Sequence, residues 1–380
     1  MSIQQSNSAE PPSLLEVHLD RINRNYLALQ KKLTRGTDCA AVVKADAYGL
    51  GAAVIAPELY KANCRHFYTA YASEALVVRA ALAGLETVQP AQIYTFHGDH
   101  GVAPAELLHN NIVPVLNGFG DIERWSALAK ETGKKLPAVL HIDTGMNRLG
   151  LSAAEVTRLK SNTDALKPLD VRYVMSHLAC ADIAEHPKNK EQLDRFKQLT
   201  AELGLPCRLS FANSSGIFLG NEYHFDQARP GCSIYGINPQ TGHENPMQGV
   251  ITLKARILQT RDVAAGETVG YGAEQCLPSL TKLATISAGY ADGILRSTAE
   301  NGMVYIGGQK CPLVGRVSMD AITVDVTAVT SQPHTGDWVE IIGTHQTADD
   351  VAAQAGTIGY EVLTSLGKRY KRIYTRQETI

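Results

Sequence analysis

A chain of 380 residues with 44% hydrophobic and 19% charged residues has the composition of a soluble globular protein with room for two domains, which excludes a mainly disordered one. Its formal net charge of −2 gives no electrostatic basis for binding nucleic acid or an anionic membrane surface, so a small neutral or zwitterionic ligand is expected. The cysteines are scattered, odd in number and never arranged as C-x-x-C; this argues against a disulfide framework or a metal site and suits a reducing compartment.

The opening MSIQQSNSAEPPS has no basic stretch followed by an apolar core. It reads as the short flexible start of a cytoplasmic protein and not as a signal peptide. No apolar run approaches the roughly 20 residues of a spanning helix. A short strand, LLEVHLD (14–20), comes first, and it can pack with the C-terminal part of the chain. Strand-like runs then recur at CAAVVKA (39–45), FYTAY (67–71), IYTF (93–96), IVPVLN (112–117), PAVLHID (137–143), RYVMSHL (172–178), RLSFA (208–212) and FDQARPG (225–231). Between them lie SEALVVRAALAG (73–84), DIERWSALAKETG (121–133) and EQLDRFKQLTAELG (191–204), with apolar residues at helical spacing and a closing Gly. A helix is also expected from about Gly49. Strands alternating with helices imply a parallel sheet, and this number of units predicts a (β/α)8 TIM barrel over 1–245. An open doubly wound sheet is the alternative, but no G-x-G-x-x-G follows the first strand.

The polar, Pro- and Gly-rich NPQTGHENPMQG (238–249) reads as a linker. Beyond it, ITLKARILQTRDV, TKLATISAGYADG, MVYIGGQKCPLVGRV, AITVDVTAV and WVEIIG alternate with Gly-rich turns, and one helix is expected near 348–356. Residues 246–380 therefore form a mainly β domain.

Chemistry on such a barrel belongs at the C-terminal strand ends. There the sequence places Lys44 and Tyr48, then Asp143 and Arg148, then His177, then Asn213, Ser214 and Ser215, and last Arg229, Gly231 and Cys232. A lysine amine forms a Schiff base with an aldehyde. The turns after the last two barrel strands are a usual phosphate site, with Ser214, Gly231, Cys232 and Tyr48 as donors. Pyridoxal 5'-phosphate satisfies both demands. The histidines of HGDH (97–100) have no third ligand at useful spacing and read as a loop. Arg148 and Arg229 have a plainer alternative role, pairing with Asp143 and Asp226.

The segments VVKADAYGLG, HIDTGMNRLG, ANSSG, ARPGCSIYG, GYGAE, GYADG, GRVSMD and GYEVLTSLGKRY, in that order, resemble the alanine racemase family over nearly the whole chain. The resemblance implies a homodimer with shared active sites that interconverts L- and D-alanine by a two-base mechanism. Its product would serve cell-wall peptidoglycan or its activity alanine catabolism. Lys44 would hold the cofactor and exchange the α-proton on one face, and Tyr271 of the partner subunit would do so on the other. A phenol is a poor base at neutral pH, and the resemblance gives its support to His177 and Arg229. Arg229 would also face the pyridine nitrogen and Arg148 the phenolic oxygen. Tyr48, Asn213, Ser214, Gly231, Cys232 and Tyr360 would contact the cofactor. Arg148 and the backbone N–H of Met319 of the partner subunit would bind the substrate carboxylate, and Tyr290 and Tyr360 would narrow the entrance.

Three positions depart from the family pattern. His141 stands where many members have a carbamylated lysine whose negative charge orients the arginine matching Arg148, so that charge must come from a small anion or a nearby carboxylate. Ser318 replaces a frequent Cys, and Ser210 a frequent His. Two rival functions share the scaffold. A broader-specificity racemase is the first; a decarboxylase would want an acid at the pyridine nitrogen, where the resemblance puts Arg229. A cofactor-carrying binding protein is the second, and it would have no need of residues 250–380.

Overall fold

A computed structural model describes residues 11–85 and 89–376; most of the expected flexible start lies outside them. The chain forms two compact units, one of Arg21–Gln248 and the other of Met1–Asp20 with Gly249–Ile380. Strand β1 (Ser13–His18) ends before Leu19, where a helix begins.

In the first unit, strands β2 (Asp38–Cys39), β3 (Ala41–Val42), β4 (His66–Thr69), β5 (Gln92–Thr95), β6 (Ile112–Leu116), β7 (Leu136–His141), β8 (Leu169–Met175), β9 (Arg208–Asn213) and β10 (Gln227–Arg229) are joined in one parallel sheet. β2 and β3 are two halves of one strand, broken at Ala40. β2 pairs with β10 and β3 with β4, and Ala40 N–H and Val42 N–H donate to Ala228 O and Pro230 O, both at 2.9 Å. The sheet closes on itself into the expected barrel.

Each barrel strand is covered on both faces, which explains the unbroken apolar runs; all of Ile112–Leu116 is buried. The helices around the sheet bury one stripe each. Helix Phe119–Thr132 buries Ile122, Trp125 and Ala129, and helix Pro187–Leu203 buries Leu193, Phe196, Leu199 and Leu203. Both end on left-handed glycines, Gly133 and Gly204. Helix Ala72–Leu82 is capped instead by Ala83, one residue before the left-handed Gly84.

In the second unit, β11 (Ile251–Val263) is a long strand bulged between Ile257 and Gln259. Next come β12 (Thr268–Val269), β13 (Gln275–Cys276), β14 (Thr281–Ile286), β15 (Met303–Ile306), β16 (Gln309–Pro312), β17 (Ile322–Asp325), β18 (Trp338–Ile342) and β19 (Lys371–Thr375). β1 lies between β11, antiparallel, and β19, parallel. Helix Ala348–Ala355 starts on a capping box, in which Thr347 accepts from Asp350 N–H and the Asp350 carboxylate accepts from Thr347 N–H. A further helix, Gly359–Ser365, and β19 were not anticipated. No helix among the described residues is long and apolar enough to cross a membrane.

Candidate active site

A cavity of about 350 Å³ opens at the C-terminal strand ends of the barrel, lined by Lys44, Phe96, His97, His141, Arg148 and His177 among others. The expected helix from Gly49 starts only at Ala52. Before it, Ala45, Asp46, Ala47 and Tyr48 all adopt left-handed backbone, with φ of 52 to 56°. Each such non-glycine residue costs roughly 1–2 kcal/mol, so neighbours must hold this turn. Burial lowers the Lys44 amine below the usual lysine range and the Arg148 cation pushes the same way, while Glu74 and Cys232 oppose them.

Arg148 follows a turn organised by Asp143. Its carboxylate accepts from the N–H of Gly145 and Met146 at 2.9 Å and of Asn147 at 3.2 Å. The chain then folds back, with Leu151 N–H donating to His141 O at 2.7 Å. Gly150, at φ +104°, sits so close that a Cβ there would come within 2.9 Å of Asp143 N. Among the described residues no carboxylate lies within ion-pair distance of Arg148. The expectation of an acid swung toward Arg148 is therefore not met.

His141 is held from the neighbouring strand. Asn117 Nδ2 donates to Phe96 O and Val115 O, so its Oδ1 accepts from His141 Nδ1 at 2.8 Å. That fixes a proton on Nδ1, and a neutral ring keeps Nε2 as its acceptor. Burial, with Arg229 and Arg148 nearby, pushes its pKa down to about 3. The same influences hold His177 well below the usual histidine range. The unfolded chain binds these protons near pH 6.5 and the folded one does not, so stability falls as pH drops from about 6.5 toward 3. In urea unfolding between pH 7 and 5, His141→Gln is expected to show a shallower loss, by up to about 1 kcal/mol per pH unit. Equal slopes would contradict the neutral ring.

Arg229 is 2% exposed. Its NH1 donates to Ser210 Oγ and its NH2 to Ser176 O. Ser210 in turn donates to Gln227 O at 2.9 Å, so its hydroxyl accepts from Arg229 and passes its own proton onward. Without a carboxylate partner, burial pushes the guanidinium down to about 10. Its Nε is buried with no hydrogen-bond partner, a donor that a ligand can satisfy. Asp226 spends a carboxylate oxygen on Leu209 N–H at 2.7 Å, and Asp143 is engaged as above. Neither arginine takes the plainer pairing.

A second feature lies against strand β3. Ser214 Oγ accepts from Gly231 N–H at 2.9 Å and Ser233 N–H at 3.4 Å. A Cβ on Gly231 would come within 2.4 Å of Tyr48 Oη and 3.3 Å of Val42 Cβ. Cys232, buried, opens a 3-10 helix at this point. Asn213 is committed locally, accepting from Gly216 N–H at 2.8 Å and donating to Leu178 O at 3.4 Å. That shapes the turn presenting Ser214. His97, expected in a mere loop, lines the cavity and packs edge-on against Tyr71, 4.8 Å between ring centroids. The strand-end rule applied to β5 would have found it.

The remaining expected residues belong to the second unit. Tyr271 tops the β12–β13 hairpin at 71% exposure, and Met319 and Tyr290 are 52% and 41% exposed. Tyr290 N–H donates to Ser318 O and Ala291 N–H to Met319 O, both at 3.0 Å, which fixes those two loops together. Tyr360 lies on helix Gly359–Ser365. Among the described residues no group of three or more potential metal ligands occurs.

The comparisons agree with this geometry. The family model for the alanine racemase N-terminal domain matches residues 17–239, and the model for its C-terminal domain matches 250–374. Alanine racemase of Brucella canis is 43% identical over 95% of this chain and 93% of its own length. A catabolic alanine racemase of Mesorhizobium japonicum is 42% identical over 97% and 94%. Among solved structures, alanine racemase from Bartonella henselae with covalently bound pyridoxal phosphate superimposes with a TM-score of 0.92. It is 42% identical and covers 96% of this chain and 100% of that one. The barrel, the strand-end constellation and both domain matches converge, and the chain belongs to the alanine racemase family, an isomerase.

Proposed function

We propose that this protein interconverts L- and D-alanine with pyridoxal phosphate, in a site completed by a second copy of the chain. The observation that carries the reading is Arg229 Nε, a buried donor without a partner on a guanidinium that acts on His141 and His177, which line the same cavity as Lys44. The residues fit the cofactor: Lys44 to hold its aldehyde carbon, Arg148 its phenolic oxygen, Arg229 its ring nitrogen, and the Tyr48, Ser214, Gly231 and Cys232 cradle its phosphate. Asn213 supports that cradle from the turn. When bound, pyridoxal phosphate draws electrons from the substrate's α-carbon so that its proton can leave. A guanidinium keeps its proton, so Arg229 restrains that withdrawal and disfavours decarboxylation.

Lys44 Nζ takes or returns the α-proton on one side. Burial lowers its affinity for a proton, which suits a group that must release and recapture one. The opposite side needs a second group, and the reading assigns Tyr271 of the partner subunit, with His177 behind it. Met319 of the partner subunit would donate its backbone N–H to the substrate carboxylate; among the described residues that N–H makes no hydrogen bond. Tyr290 and Tyr360 narrow the entrance to a small substrate, and a small anion such as chloride accompanies Arg148. Exposed Tyr271, Met319, Tyr290 and Ile358 are apolar surface consistent with a covering partner.

The test is incubation with each L-amino acid in deuterated water and chiral analysis of the products. Alanine alone should racemise, with deuterium at the α-carbon. Equal turnover of larger amino acids would favour the broader-specificity racemase. A smaller prediction concerns the cradle. Gly231→Ala should lower stability by about 1–3 kcal/mol through overpacking against Tyr48 and weaken cofactor affinity, as measured by denaturation and equilibrium dialysis. Unchanged values would remove the cradle from the reading.

A further inference from the structure

Lys44 leaves its strand through four left-handed residues, none of them glycine. Part of what holds the turn is its own: Ala47 N–H donates to Val43 O at 2.9 Å, Gly49 N–H to Ala45 O at 2.7 Å, and Asp46 Oδ1 accepts from Ala52 N–H at 2.7 Å. The rest comes from another element. Glu74 Oε1 accepts from Ala45 N–H, the first peptide after Lys44, at 2.7 Å. Its Oε2 accepts from Ala70 N–H at 2.8 Å and Tyr71 N–H at 3.2 Å.

The bond to Tyr71 is the capping of helix Ala72–Leu82. The bond to Ala45 is no part of that cap. It ties the turn to the junction that follows β4, the strand beside β3. The groups acting on the Lys44 amine are Arg148, Glu74 and Cys232, and the amine acts in turn on His97 and His177. In that set Glu74 is the carboxylate.

We propose that Glu74 is the positioning residue of Lys44: it clamps the left-handed turn that presents the lysine and fixes a negative charge at the first peptide after it. This rests on the reading of Lys44 as the anchor and proton-transfer group. The sequence shows Glu74 only as a first-turn acid of a helix, a common position favoured by the helix dipole.

The test uses holoenzyme carrying Glu74→Ala, Glu74→Gln or Glu74→Asp. Hydrogen exchange read by mass spectrometry on a peptide covering 45–51 should be on the order of ten times faster in Glu74→Ala, the barrel strands being unchanged. In Glu74→Gln the limb of the kcat profile that reports the Lys44 amine, once substrate has freed it, should move down by about half a pH unit or more. Glu74→Asp, which keeps the charge, should leave that limb in place. If Glu74→Ala does not fold, Glu74→Gln serves for both measurements. Unchanged exchange at 45–51 would overturn the clamp, and an unmoved limb in Glu74→Gln would overturn the electrostatic part. Failure of the underlying reading is seen separately, as cofactor found on a residue other than Lys44 after borohydride reduction of the parent protein.

Discussion

Lys44→Ala should abolish racemisation, by on the order of 10⁴-fold or more, because one substitution removes both the covalent anchor and a proton-transfer group. None of the neighbours in the cavity has the chemistry to replace it. Arg148 cannot serve, since a guanidinium does not give up its proton at neutral pH. His97, His141 and His177 line the same cavity, but an imidazole forms no stable link to the cofactor's aldehyde. Borohydride reduction followed by peptide mass spectrometry should place the cofactor on Lys44 in the parent and on no residue of the variant. Covalent retention by Lys44→Ala would show that the anchor is elsewhere.

Tyr271→Phe should lower racemisation by about 10²- to 10⁴-fold, the usual worth of a positioned acid or base, while exchange of the α-proton on the Lys44 side persists. The variant should fold normally. Tyr271 is 71% exposed on a hairpin tip of its own chain, and loss of its hydroxyl removes no hydrogen bond among the described residues of that chain. Stability and activity should therefore separate cleanly in this variant. Racemisation at the parental rate would put the second base at another residue.

The barrel was legible because parallel strands covered on both faces give unbroken apolar runs, as Ile112–Leu116 shows. The glycines after helices Phe119–Thr132 and Pro187–Leu203 marked their ends because only glycine adopts left-handed backbone without strain. The turn after Lys44 falls outside that rule. Ala-Asp-Ala-Tyr carries no turn signature, and its left-handed path is imposed by tertiary bonds such as that from Glu74. Partners distant in sequence were equally hidden. Nothing local to His141 points to Asn117, twenty-four positions earlier and just past the end of the adjacent strand, nor anything near Arg229 to Ser176. Strand β19 escaped notice because KRIYT is short and carries two basic residues. Its pairing with β1 could not be read from pattern alone.

The central claim is that Lys44 of one chain and Tyr271 of another meet in one site, and mixing the two inactive variants tests it most directly. In a heterodimer of Lys44→Ala with Tyr271→Phe, one site receives both mutations and the other receives neither. Random exchange of subunits in an equimolar mixture should therefore restore about a quarter of the parental activity. Activity that stays at the level of the separate variants, with subunit exchange shown by native mass spectrometry, would contradict the shared site.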